Sequence, residues 1–137
     1  MIAARLVDVP GVSDVFKEGF ITYSNKAKRR RLGVNKSTLA SHGAVSEQTV
    51  KEMLKGALKI SKADCSIAVS GVAGPDGGTD EKPVGTVFIG CNVGGKSTVI
   101  ERHFEGDRKQ VREYTVTEAL ALLRLNLLKY YSEKNFG

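Results

Sequence analysis

The stretch GTVFIGCNVGGKSTVIERHF, Gly85 to Phe104, decides the fold. Its two halves, Gly85–Val93 and Lys96–Phe104, are rich in β-branched residues and meet at Gly94-Gly95. A two-residue Gly-Gly loop supplies the positive φ angles that tight hairpins require, so the stretch predicts two antiparallel strands. Just upstream, SIAVS (Ser66–Ser70) has no polar residue inside it. That pattern predicts a central strand covered on both faces. GFITY (Gly19–Tyr23) is β-branched and aromatic and predicts a fourth, short strand.

Helical periodicity fills the gaps between these runs. Ser46 is a good N-cap, and Val50, Met53, Leu54, Ala57 and Leu58 follow at the spacing of one helical stripe, predicting a helix over Ser46–Lys62. Asp107, with Gln110 three residues on, reads as a variant capping box for a closing helix to about Tyr131. The apolar arc of that helix is wide, so it is expected to be largely buried. Shorter helices are expected at Met1–Val7, from Ser24 or Asn25 to Leu32 before Gly33, and at Ser37–Ser41. Alternating helices and strands give an α/β or α+β fold, with a mixed sheet packed by helices.

Composition narrows the class. The chain has 137 residues, 41% hydrophobic and 26% charged, enough for one domain with a core of its own. No apolar run is long enough to span a bilayer and no signal peptide is apparent, so no membrane partner and a cytoplasmic setting are expected. Cys65 and Cys91 lie in or beside strands without a CxxC partner, and both read as small buried hydrophobes. No metal and no cofactor is expected. The net charge of +6 and the cluster Lys26, Lys28, Arg29, Arg30, Arg31 invite a nucleic-acid reading. The exposed aromatics or recognisable module that usually accompany one are not visible, which leaves a solvated helix face or a small anionic ligand such as a phosphate ester.

Two stretches carry candidate chemistry. The glycine-rich loop Gly71-Val-Ala-Gly-Pro-Asp-Gly-Gly-Thr79 leaves the end of an apolar strand, where open α/β sheets bind ligands. It matches neither the Walker nor the dinucleotide fingerprint, and the plainer alternative is a surface turn. In TYSNKAK, Ser24 and Lys28 are four apart, on one helical face. A lysine of lowered pKa can serve as base to a serine nucleophile; alternatively Ser24 only caps and Lys28 is solvated. Arg108 at the start of the last helix is a plausible phosphate contact or part of a cap. His42 and His103, the only histidines, read as a loop and a strand residue.

Taken in order, GFITYSNKAK, LGV, HGAVSE, SGVAGPDGGTDEKPVGTV and FEGDR resemble the C-terminal domain of the CinA family of nicotinamide-nucleotide amidohydrolases. The resemblance covers nearly the whole chain and implies a three-layer α/β/α sandwich. It implies hydrolysis of the carboxamide of nicotinamide mononucleotide, giving nicotinic acid mononucleotide and ammonia. The family nucleophile is a serine in an AESCTGG motif that occurs nowhere in these 137 residues. The opening MIAARL resembles what directly follows that motif, so the expectation is one domain, residues 1–137, cut at its N-terminus and inactive alone. Carried over by the resemblance, Lys28 would be the general base, with Tyr23 and Ser24 beside it. Ser70, Gly71, Gly74, Gly77, Gly78 and Thr79 would line the nucleotide cleft, and Lys82 and Arg108 would approach the phosphate. A non-catalytic nucleotide-binding module serving a partner domain is the alternative. Homo-oligomerisation is expected, because a sheet lacking the family's first strand has an unpaired edge.

Overall fold

The computed structural model describes residues 1–136. Three strands, β1 (Cys65–Gly71), β2 (Thr86–Val93) and β3 (Lys96–His103), form a sheet in the order β1-β2-β3. The hairpin is as expected: Val93 pairs with Lys96, and Gly94 and Gly95 close it with φ of 60° and 84°. Both pairings are antiparallel, so the sheet is not mixed. The fourth strand is absent as well, since Gly19–Tyr23 finds no ladder partner. Consequently β2 is the central strand, and β1 lies at an edge.

The helices cover both faces. Period-two alternation sends Val87, Ile89, Cys91 and Val93 of β2 to one side, where they pack with Val111, Ala119 and Leu122 of α5 (Arg108–Phe136). On the other side Val50, Met53 and Leu54 of α4 (Glu47–Ser61) meet Ala68, with Phe88 and Val99 packed against them. Gly90 keeps this second contact close: a Cβ there would lie 2.7 Å from Val50 Cγ1. The result is a three-layer α/β/α sandwich.

Short helices complete the layers. α1 (Ile2–Leu6) lies against α5, and α2 (Asn25–Leu32) and α3 (Lys36–His42) lie against α4. Ser24 caps α2 by accepting from the Ala27 N–H at 3.1 Å. At the other end Gly33, φ 70°, sends its N–H to Arg29 O, the single bond of a left-handed helix end, and Val34 sends its own to Lys28 O. The box at α5 is reciprocal: Gln110 N–H donates to Asp107 Oδ1 and Asp107 N–H to Gln110 Oε1, at 2.8 and 2.9 Å. α5 is not largely buried. One face is, from Val111 to Tyr130 against the hairpin turn, but Leu125, Leu128 and Tyr131 lie off that face and are exposed. Cys91 is fully buried and Cys65 half-buried; burial and the neighbouring Cys65 raise the Cys91 thiol to about 11. Among the described residues no helix is long and apolar enough to cross a membrane.

Candidate functional site

α2 builds the first part of the site. Leu32 is in the core, and Lys28, one turn earlier, shares that buried face with 7% exposure. Its Nζ donates to Thr22 O at 2.8 Å. Among the described residues no carboxylate pairs with it. Burial disfavours the ammonium form and lowers the pKa of Lys28 from its ordinary value of 10.5. A neutral amine with a free lone pair is therefore more accessible here than at any solvated lysine. Ser24 does not meet it: the hydroxyl is engaged as the N-cap, and Lys28 turns to Thr22 instead.

Arg108 assembles the second part. Its Nη1 donates to Gly74 O at 2.8 Å, and its Nη2 reaches Tyr23 Oη at 3.4 Å. The start of α5, the glycine loop and the residue before α2 thus converge, although Tyr23 and Arg108 are 85 positions apart. Tyr23 is otherwise 86% exposed. A guanidinium has five N–H donors, so Arg108 keeps some for an anion.

The glycine loop is drawn in by its own packing. Cβ atoms at Gly74 and Gly78 would lie 2.5 Å from Val84 Cγ1 and 2.7 Å from Val84 N, so the chain folds closely over Val84. Gly77 is open and exposed, and Gly71 sits against Val87 and Thr86 at the end of β1. Ser70 Oγ donates to Ala44 O at 2.7 Å. Thr79 and Lys82 close a tight turn through Thr79 N–H to Lys82 O and Lys82 N–H to Thr79 Oγ1. Lys82 Nζ then donates to His42 O at 2.6 Å, at the C-terminal end of α3.

The sequence-derived residues therefore separate into two groups. Tyr23, Lys28, Gly74 and Arg108 gather around the Thr22–Ser24 segment. Ser70, Thr79 and Lys82 tie the loop to the α3–α4 turn, a positioning task that spacing did not reveal. His42 takes part, among the described residues, through its carbonyl, and His103 is a strand residue contacting Glu101 and Thr86. Among the described residues no group of three His, Cys, Asp or Glu side chains is placed to hold a metal.

The fold is thus a three-layer α/β/α sandwich in which a glycine loop leaves a strand end and Arg108 ties that loop to the segment before α2, near the buried Lys28. Residues 1–127 match the CinA C-terminal domain, and the chain belongs to that family. It is 51% identical over 129 residues to a competence-damage inducible protein of Clostridium novyi, covering 94% of this chain and 31% of that relative. The corresponding protein of Clostridium beijerinckii is 52% identical, with 32% of its length covered. The chain thus spans about a third of these relatives. Among solved structures, a competence/damage inducible protein from Agrobacterium tumefaciens superposes with a TM-score of 0.88 at 43% identity, covering 90% of this chain and 76% of that one. The competence damage-inducible protein A of Klebsiella pneumoniae gives 0.88 at 42%, covering 93% and 79%.

Proposed function

We propose that this domain supplies the base and the substrate cleft of an amidohydrolase that converts nicotinamide mononucleotide to nicotinic acid mononucleotide and ammonia. The observation that carries the reading is Lys28, a buried lysine with a lowered pKa and no carboxylate partner among the described residues. A serine from outside these 137 residues attacks the carboxamide carbon, and its proton passes to Lys28 Nζ. Lys28 then protonates the departing ammonia, and water releases the acyl group as the carboxylate. Tyr23 marks the edge of the cleft. Gly77, exposed and without a close neighbour, lets the nucleotide approach the loop backbone, while Gly71, Gly74 and Gly78 shape the loop by packing on Val84, Val87 and Thr86. Arg108 is the better placed phosphate ligand, because Lys82 is committed to His42 O and acts with Ser70 and Thr79 to hold the loop. Ser24 serves as a cap.

Ammonia release from nicotinamide mononucleotide tests the proposal. The chain alone is expected to match the buffer blank, and the chain joined to an AESCTGG-bearing segment to turn over. Lys28→Ala in the joined protein should abolish that turnover without changing its circular dichroism. Turnover by the chain alone, lost in Lys28→Ala, would move the nucleophile to a residue present here, such as Ser24. Binding without turnover in the joined protein would favour a nucleotide-binding module serving a partner domain.

A further inference from the structure

The excess positive charge of the chain is confined to one layer. Residues 24–62, which hold α2, α3 and α4, contain ten Lys or Arg and two acids, Glu47 and Glu52, a net +8. The whole chain is +6, so everything outside this layer sums to −2. Within the layer, a groove of about 490 Å³ runs between α2 and the start of α3. Lys26, Arg29 and Arg30 line one side, at the i, i+3, i+4 spacing of a single helical face, and Lys36 lines the other. All four are exposed, and among the described residues none forms an ion pair. No residue of the glycine loop lines this groove, and neither does Tyr23, Lys28 or Arg108. It is a separate site from the proposed amidase cleft.

Four unpaired cations facing one concavity repel one another and focus a positive potential that an anion would relieve. The left-handed end at Gly33 and the packing of Leu32 fix the α2 side, so the cations are held together by the fold. Asn35 adds at most one donor, since its N–H and one of its two Nδ2 hydrogens go to Glu52 Oε1 on α4. Recognition rests on the charges, and arginine guanidinium groups bind phosphate oxygens in a bidentate fork. The volume falls in the range of small-molecule sites, roughly 300–1,000 Å³. No aromatic side chain lines the groove to stack a base, and its one apolar residue, Val34, is buried, leaving no socket for an apolar peptide anchor. We infer that this groove binds a compact ligand carrying two or more linked phosphate groups.

Calorimetric titration of the chain with inorganic tripolyphosphate at low salt tests the inference. Saturable binding of one tripolyphosphate is expected, at least about tenfold tighter than orthophosphate, because a second phosphate engages a second pair of cations. Arg29→Glu with Lys36→Glu should weaken it by more than about tenfold, and the neutral pair Arg29→Gln with Lys36→Gln, milder toward folding, should weaken it in the same direction. Lys55→Glu with Lys59→Glu, an equal charge change on exposed positions of α4 outside the groove, should cost less than about threefold. Absence of saturable binding overturns the inference, as does equal affinity for orthophosphate or an equal loss in the α4 pair. A single-stranded oligonucleotide that stays bound at a salt concentration where tripolyphosphate is released would also overturn it, and would assign the layer to nucleic acid.

Discussion

Replacing Gly56 by alanine sets two physical effects against each other. Gly56 lies inside α4, where alanine is favoured over glycine by about 1 kcal/mol. On helix propensity alone the variant would be the more stable protein. The packing reverses the sign. A Cβ at Gly56 would lie 1.9 Å from Leu32 O, 2.7 Å from Leu32 C and 2.9 Å from Leu32 Cα. Those are backbone atoms, so no rotamer change relieves the clash. To reach ordinary contact the end of α2 must withdraw by roughly 1.5 Å, taking the buried Leu32 and Val34 with it. Forced displacement of a packed core costs about 1–3 kcal/mol, and a backbone clash of this size belongs at or above the upper end. After the propensity gain, the net loss is about 2 kcal/mol, which for a domain of this length lowers the melting temperature by about 5–10 °C. Thermal unfolding followed by far-ultraviolet circular dichroism, with urea titration alongside, is the assay. A comparison variant, Gly33→Ala, meets no atom within 4 Å but keeps a φ of 70°, so it should cost only about 1 kcal/mol from the left-handed backbone. A Gly56→Ala protein as stable as the parent, or more so, would refute the packing argument.

Three further outcomes are expected. Because burial lowers the pKa of Lys28, the unfolded chain holds a proton that the folded chain has lost between the lowered value and 10.5. Stability should therefore rise with pH through that window and fall back below it, and urea titrations at stepped pH should show this component missing in Lys28→Met; an unchanged slope would refute it. Asp107→Ala removes one half of the reciprocal cap and should cost about 1 kcal/mol in urea unfolding, while a loss below about 0.3 kcal/mol would show the box to be inert. The β1 edge carries no charged residue, whereas β3 carries Lys96, Glu101 and Arg102, so self-association through β1 should appear in sedimentation velocity as concentration rises, and a persistent monomer would refute it.

Much of the architecture is legible in local pattern, and the misreadings share one cause. The hairpin, the Ser24 and Ser46 caps, the Gly33 stop and the Asp107 box all depend on neighbours within a few residues, and all occur. GFITY has strand propensity, but a strand exists only with a partner, and Ile21 is 94% exposed. SIAVS correctly signals cover on two faces; side-chain pattern says nothing about which backbone edge is paired. The apolar arc of α5 is wider than the face the sheet covers: Leu122 is buried and Tyr130 still meets the hairpin turn at Gly94, while Leu125 and Leu128 between them point away and are exposed. In the site, the burial of Lys28 could have been read from Leu32 four residues later, had the phase of α2 been set by its core residue instead of by Ser24. The meeting of Tyr23, Gly74 and Arg108, and the tie from Lys82 to His42, depend on tertiary closure and leave no trace in spacing.

α2 shows why these features stand or fall together. An eight-residue helix with three consecutive arginines in its last turn does not hold itself in water, and like charges near each other weaken it further. What fixes it is tertiary: the Ser24 cap, the Gly33 end, and the seat of Leu32 on Gly56. One face then carries Lys28 inward, and another carries Lys26, Arg29 and Arg30 over the groove. Glycine at position 56 is thus the condition for both the buried amine and the anion groove. If that is right, Gly56→Ala should weaken tripolyphosphate binding and diminish the Lys28 pH dependence in the same protein, although it removes neither a charge nor a candidate catalytic group. Loss of one effect without the other would mean that α2 is held from somewhere other than α4.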